Sequence, residues 1–168
     1  IIGIILLLLF MVLYYRLPGF TACISFGFYS AFFLAIFSVF PITLNLAGIA
    51  GAILSLGMAV DANVLIFERM KEELRSGRTL GAAVETGFNR AWTAIRDSNI
   101  TTFIACAVLI WLGMSSAFHA SMVTGFAITL FIGVALSMFT AIVVTRTLLR
   151  FVVGGRLTTN PSAYGVKA

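Results

Sequence analysis

Long apolar stretches alternate with short polar ones along this chain, and the lengths of the apolar stretches decide the first reading. A helix that crosses a bilayer needs roughly 20 mostly apolar residues at about 1.5 Å rise per residue. Five such stretches can be drawn, at about 1–15, 21–40, 44–67, 100–114 and 122–149. The first is about five residues short of a full span and runs into Arg16 and a Pro18-Gly19 break. It reads as a span cut inside its helix, with further sequence expected before Ile1. Pro41 closes the second stretch, because proline cannot continue a helix. The fifth is long enough to tilt or to extend past the bilayer. The predicted fold is all-α: a polytopic transmembrane helix bundle of five spans, the first truncated, over residues 1–154. The polar stretch 155–168, with Pro161 and Gly165, is expected to be a disordered C-terminal tail.

A different pattern fills the gap between the third and fourth stretches. Glu68 to Arg75 extends the third span as a charged helix, with Glu68 and Lys71, then Glu72 and Arg75, spaced for i,i+3 pairing. Ser76-Gly77 breaks it, and Thr79 can cap a new helix. Apolar and small residues then recur at Leu80, Ala83, Val84, Gly87, Phe88, Ala91, Trp92 and Ile95. That period predicts an amphipathic helix over about 79–95. It could rest on the membrane surface through Phe88 and Trp92, or cap the bundle. Asp97, Ser98 and Asn99 read as the cap of the next span.

Composition supports the membrane reading and charge orients it. The chain is 61% hydrophobic and 10% charged, where soluble domains carry about 25% charged residues. All 11 Lys and Arg residues fall in the segment after the first span, the segment after the third, and the C-terminal end. The turns near Pro41 and near Ser115 to Ser121 hold none. Basic residues collect on the cytoplasmic side. The start of the chain is therefore expected outside and its C-terminus in the cytoplasm. The net charge of +5 then reflects topology, and nucleic acid is not an expected partner. Cys23 and Cys106 sit in apolar stretches and read as small buried side chains.

Asp61 is the one ionisable residue deep inside a span. A carboxylate near the bilayer centre costs at least about 2.5 kcal/mol on insertion scales. It lies about six residues, or roughly 9 Å, from the cytoplasmic end of its helix at Phe67. Two readings remain open: a proton relay, or a structural carboxyl bonded to a neighbouring helix. Asn99 and Thr102 are candidate hydrogen-bond partners from the fourth span. Asn63 lies about 200° around the helix from Asp61 and reads as interhelical glue. In the fifth span Gly125, Thr129, Gly133, Ser137, Ala141 and Thr145 repeat every four residues, a small-residue ridge for close helix packing. His119 sits in an outer turn. No metal-ligand cluster, cofactor-binding motif or enzyme nucleophile is expected.

The string Gly57-Met-Ala-Val-Asp-Ala-Asn-Val-Leu-Ile-Phe-Glu-Arg69 resembles the SecD family of the bacterial protein-export machinery. Supporting matches are Tyr14-Tyr15-Arg16-Leu17-Pro18-Gly19, Glu72-Glu73-Leu74-Arg75-Ser-Gly-Arg78, Gly87-Phe88-Asn89-Arg90-Ala91, Asp97-Ser-Asn99-Ile-Thr-Thr102, Gly125-Phe126-Ala127 and Val144-Thr145-Arg146. Together they cover the chain to about Gly154. SecF, the paired subunit, usually has Asn-Asp-Thr where this chain has Asp61-Ala62-Asn63. The resemblance implies a member of the resistance-nodulation-division superfamily in the bacterial cytoplasmic membrane. It implies spans two to six of six, and a large periplasmic domain before them. It further implies SecF, the SecYEG channel and a translocating preprotein as partners beside membrane lipid, and use of the proton-motive force in late export. The family's transmembrane Asp falls at Asp61. A small-molecule efflux transporter of the same superfamily and a non-transporting assembly scaffold are the rival expectations.

The charge asymmetry generates a direct test in the full-length protein. A cysteine at Arg78 should react with an impermeant thiol reagent only from the cytoplasmic side, and one at His119 only from outside. Outer-side labelling at position 78 would overturn the topology.

Overall fold

The computed structural model describes residues 2–40, 45–115 and 121–154. The turn at 41–44, the turn at 116–120 with His119, and the tail at 155–168 lie outside the described residues, as does the disorder expected of that tail. The elements in order are α1 (Ile2–Tyr15), α2 (Leu17–Val39), α3 (Leu46–Arg75), α4 (Leu80–Met114), α5 (Ser121–Phe139), a π-helical segment (Thr140–Thr145) and α6 (Arg146–Gly154). Leu17–Val39, Leu46–Arg75, Leu80–Met114 and Ser121–Phe151 are long and apolar enough to cross a membrane, and α1 is a shorter apolar helix. The all-α transmembrane bundle expected from the sequence is the architecture found.

Local chemistry sets the joints. Arg16 has φ 52°, Gly77 has φ 85°, and each stands where the chain reverses between antiparallel helices. Pro18 sits in the first turn of α2, where a missing N–H costs nothing. Gly19 faces the backbone of Met11, and a methyl there would collide with the Met11 carbonyl. The Asn45 side chain caps α3 by accepting from the Gly48 N–H at 2.7 Å.

The segments drawn separately as 79–95 and 100–114 form one helix, α4. The polar run Arg96 to Asn99 does not end it because nothing there breaks a helix. Thr101 and Thr102 hydroxyls donate back to the carbonyls of Asp97 and Ser98, and Arg96 pairs with Asp97 at 2.9 Å. A capping residue ends a helix only where the backbone also turns. The amphipathic portion of α4 faces protein. Ala83, Val84, Gly87, Phe88, Ala91 and Ile95 are buried, and a Cβ on Gly87 would lie 2.7 Å from the Met70 nitrogen. Trp92 is partly buried against the same core.

Ion pairs gather at the same end of the molecule. Glu68 pairs with Lys71 as the spacing predicts, but Glu72 pairs with Arg69 rather than Arg75. Glu73, 6% exposed, takes both Arg78 and Arg90. Glu85 on α4 holds Arg150 and Arg146 of α6. The Arg150 and Arg146 guanidiniums keep its carboxyl below the ordinary range, so this latch persists at neutral pH and is lost only as acid protonates Glu85.

The small ridge of the fifth span packs on α3. Gly125 faces Asn45, Gly48 faces Thr129, and Gly133 faces Ser55. In an α-helix a four-residue step turns the face by about 40°, so the row drifts away from α3. The π-helical segment adds about one residue to its turn and brings the row back. Thr145 is thereby fully buried.

A methyl group at Gly133 would collide with the Cβ of Ser55, which is fixed to the α3 backbone. Gly133→Ala should therefore destabilise the bundle by about 1–3 kcal/mol, read as a lower thermal midpoint of the solubilised protein. Gly27→Ala, where the added carbon meets nothing within 4 Å, should leave the midpoint within error of the parent.

Candidate functional site

Asp61 lies on α3, six residues before Phe67. Its neighbours Ala59, Val60, Ala62 and Asn63 are buried against the bundle, while Asp61 itself is exposed on the flank. That flank is not flat. A cleft of about 220 Å³ is lined by Met58, Asp61, Ala62 and Leu65 from α3 and by Ala94, Ile95, Ser98 and Asn99 from α4.

The structure brings one of the two expected partners to Asp61. Asn99 is 7% exposed and lines the same cleft. Thr102 does not line it; its hydroxyl donates to the Ser98 carbonyl at 3.3 Å. Ser98 is the cleft residue that sequence reasoning missed. The signal was present: Ala94, Ile95, Ser98 and Asn99 are spaced i, i+1, i+4, i+5, one face of a helix. Splitting α4 before Asn99 hid it. Among the described residues, the Asp61 carboxyl, the Ser98 hydroxyl and the Asn99 amide make no hydrogen bond or ion pair with protein. Three polar groups thus converge on one cleft with their bonding capacity unspent.

Asn63, two residues on, has the opposite environment. It is buried, and its Oδ1 accepts from the Thr145 hydroxyl at 2.8 Å. Its Nδ2 donates to the Ala59 carbonyl at 3.2 Å. Ser25 Oγ lies 3.0 Å from Thr145 Oγ1 and 2.9 Å from the Thr21 carbonyl. Thr145 has a single hydroxyl hydrogen and the Asn63 oxygen only accepts. With the Thr145 hydrogen on the Asn63 oxygen, the single Ser25 hydrogen serves either the Thr145 oxygen or the Thr21 carbonyl, and Asn63 donates on to the Ala59 carbonyl. This chain of bonds ties α2, the π-helical segment and α3 together directly behind Asp61. A second bond, Tyr29 to Ser55 at 2.8 Å, ties α2 to α3 nearer the other end.

A family model described as protein export membrane protein SecD/SecF, C-terminal, matches residues 1–154. The protein translocase subunit SecD of Dehalococcoides mccartyi is 63% identical over 153 residues, covering 91% of this chain and 34% of that protein. The protein translocase subunit SecD of Thermobaculum terrenum is 59% identical over 165 residues, covering 98% of this chain and 32% of that protein. The chain spans about a third of the length of these relatives. Among solved structures it resembles SecDF, a translocon-associated membrane protein from Thermus thermophilus, with a TM-score of 0.83 and 40% identity. That match covers 91% of this chain and 21% of the other.

The buried hydrogen bonds behind Asp61 can be tested alone. Thr145→Val keeps the shape and leaves the Asn63 oxygen without a donor. An unsatisfied buried acceptor costs about 1–3 kcal/mol, and the thermal midpoint should fall accordingly. Thr145→Ser, which keeps the hydroxyl, should recover most of the loss. Equal losses in the two variants would mean that the methyl group matters and the hydrogen bond does not.

Proposed function

The chain belongs to the SecD/SecF family of protein export membrane proteins, as its C-terminal membrane portion, and we propose that with SecF it uses the proton-motive force to drive late steps of protein translocation across the cytoplasmic membrane. Asp61 is the proton relay and Asn99 its hydrogen-bonding neighbour. Thr102 acts on this site only through the α4 backbone. The fragment's N-terminus is outside and its C-terminus cytoplasmic.

One observation carries this reading: the Asp61 carboxyl is unpaired on the open flank of the bundle, while Asn63, two residues away, is buried and bonded through both its amide oxygen and its amide nitrogen. A structural polar group inside a membrane protein is expected to be bonded within it, as Asn63 is. A carboxyl left unbonded at that depth is costly, and it is retained where its charge must change. The open flank also needs a cover. A SecF helix against Asp61 supplies one, and places the relay at the subunit interface beside the SecYEG channel and its preprotein. Each elementary charge crossing the potential supplies about 2.3 kcal/mol per 100 mV. A few protons per cycle are enough to shift a conformational equilibrium by the few kcal/mol that matter, and so to move a domain outside the membrane.

Asp61→Asn tests the proposal in the full-length protein. The amide keeps size and hydrogen-bonding capacity but has no proton to exchange. Membrane level and assembly with SecF should match the parent, ATP-driven insertion should be spared, and the acceleration of export by an applied proton gradient should vanish. A variant that keeps that acceleration would return Asp61 to a structural role.

A further inference from the structure

We propose that the cleft between α3 and α4 is a water-filled vestibule through which Asp61 exchanges its proton with the cytoplasmic side, with Ser98 and Asn99 holding the water. The proposal rests on the reading of Asp61 as a relay and adds the route by which its proton leaves.

Unspent hydrogen-bonding capacity calls for water in the cleft. Asn99 is more than nine-tenths buried, yet its amide meets no protein partner among the described residues. It lines a cleft into which an unpaired carboxyl and an unpaired hydroxyl also open. Buried polar groups are bonded to protein or to ordered water. No other group of this chain bonds them among the described residues, and a lipid chain cannot.

The cleft has room for that water. At about 30 Å³ per molecule, a volume of about 220 Å³ has space for several. A buried water needs two to four polar partners, and Asp61, Ser98 and Asn99 offer a carboxylate, a hydroxyl and an amide. The side chains that keep the space open are small: Ala62 and Ala94.

Helix polarity gives the vestibule its direction. α3 and α4 are antiparallel, joined by the turn that holds Gly77, with Gly87 seated on Met70. Leu65 and Ala94 therefore mark the end of the cleft nearest the charged hairpin, and Met58 marks the far end. Asp61 and Ser98 lie between them. One helical turn beyond Leu65 the chain is already charged, at Glu68 and Arg69. Water at Ala94 is thus continuous with the basic side of the bundle. A protonated Asp61 gives its proton to a vestibule water and becomes a carboxylate, and the excess proton passes along the water past Ser98 to that side.

The test uses the full-length protein with its partner in membrane vesicles, with Cys23 and Cys106 replaced by alanine. Ala94→Cys and Ser98→Cys should be modified by a small impermeant methanethiosulfonate applied from the cytoplasmic side, and protected when it is applied from outside. Ala94→Leu, which plugs the cleft, should slow gradient-driven export by tenfold or more at parental membrane levels, while Gly27→Ala, outside the cleft lining and with nothing within 4 Å of the added carbon, should keep the parental rate. Protection of position 98 from both sides, whether by a partner helix or by lipid, would overturn the vestibule regardless of how the leucine variant folds. An unslowed Ala94→Leu beside an inactive Asp61→Asn would also overturn it and leave the relay standing. An Asp61→Asn variant that keeps gradient-driven export would remove the relay itself, and the proposal with it.

Discussion

A lipid interior gives helices no hydrophobic reason to pair, so the position of α3 depends on how closely its backbone can approach that of α5. Van der Waals contact and shared hydrogen bonds are the forces available there. Gly48 and Gly51 on α3, and Gly125 and Gly133 on α5, remove the side chains that would hold the two apart. The exposure of the candidate site is a consequence of that seam. With one side of α3 pressed on α5 and another facing the hydroxyls of α2, Asp61 is left on the side that only α4 partly shields.

The same constraint separates the polar residues into two kinds. Ser25, Ser55, Asn63, Thr129, Ser137, Thr140 and Thr145 are buried, and each bonds a backbone carbonyl or a neighbouring side chain. Most of these bonds close on the residue's own helix, and those joining Ser25, Thr145 and Asn63, with Tyr29 to Ser55, cross between helices. Asp61, Ser98 and Asn99 sit on the other flank with no such bonds, and it is their lack of bonds that makes them chemically available. The π-helical segment serves the first group, because it turns Thr145 inward to Asn63 and Ser25 when a plain α-helix would carry it past.

The charged end of the bundle is organised by different physics. Water is nearby, and exposed ion pairs contribute little individually, about 0–1 kcal/mol each. What matters is that several converge on one carboxylate. Glu73 takes two arginines from the α3–α4 hairpin, and Glu85 takes two from α6. With Lys71 over the rings of Tyr14 and Tyr15, these contacts give the proposed cytoplasmic face a rigid platform. The outward-facing side chains of the spans, by contrast, are the apolar ones that lipid solvates, such as Leu6, Phe10, Ile53 and Trp111.

Features that depend on local pattern were legible in the residues alone. The apolar helices and the four-residue ridge come from hydropathy and spacing, since backbone satisfaction in lipid admits few alternatives to helices; the first reversal, expected at Pro18-Gly19, falls at Arg16. The opposite facing of Asp61 and Asn63 also comes from helical geometry alone. Which faces meet was settled by packing in three dimensions. The pattern divided α4 at Asn99, because Asp97-Ser98-Asn99 has the composition of a cap, and composition does not say whether the backbone turns. The continuous helix placed Ser98 beside Asp61 and sent the Thr102 hydroxyl to its own helix. The amphipathic stretch could have faced lipid or protein, because both are apolar, and contact with Met70 and its neighbours decided between them. The π-helical turn has no local signature in Thr140–Thr145; it is stabilised by hydroxyl bonds from Thr145 to residues 82 and 120 positions away, and no local pattern encodes a partner that distant.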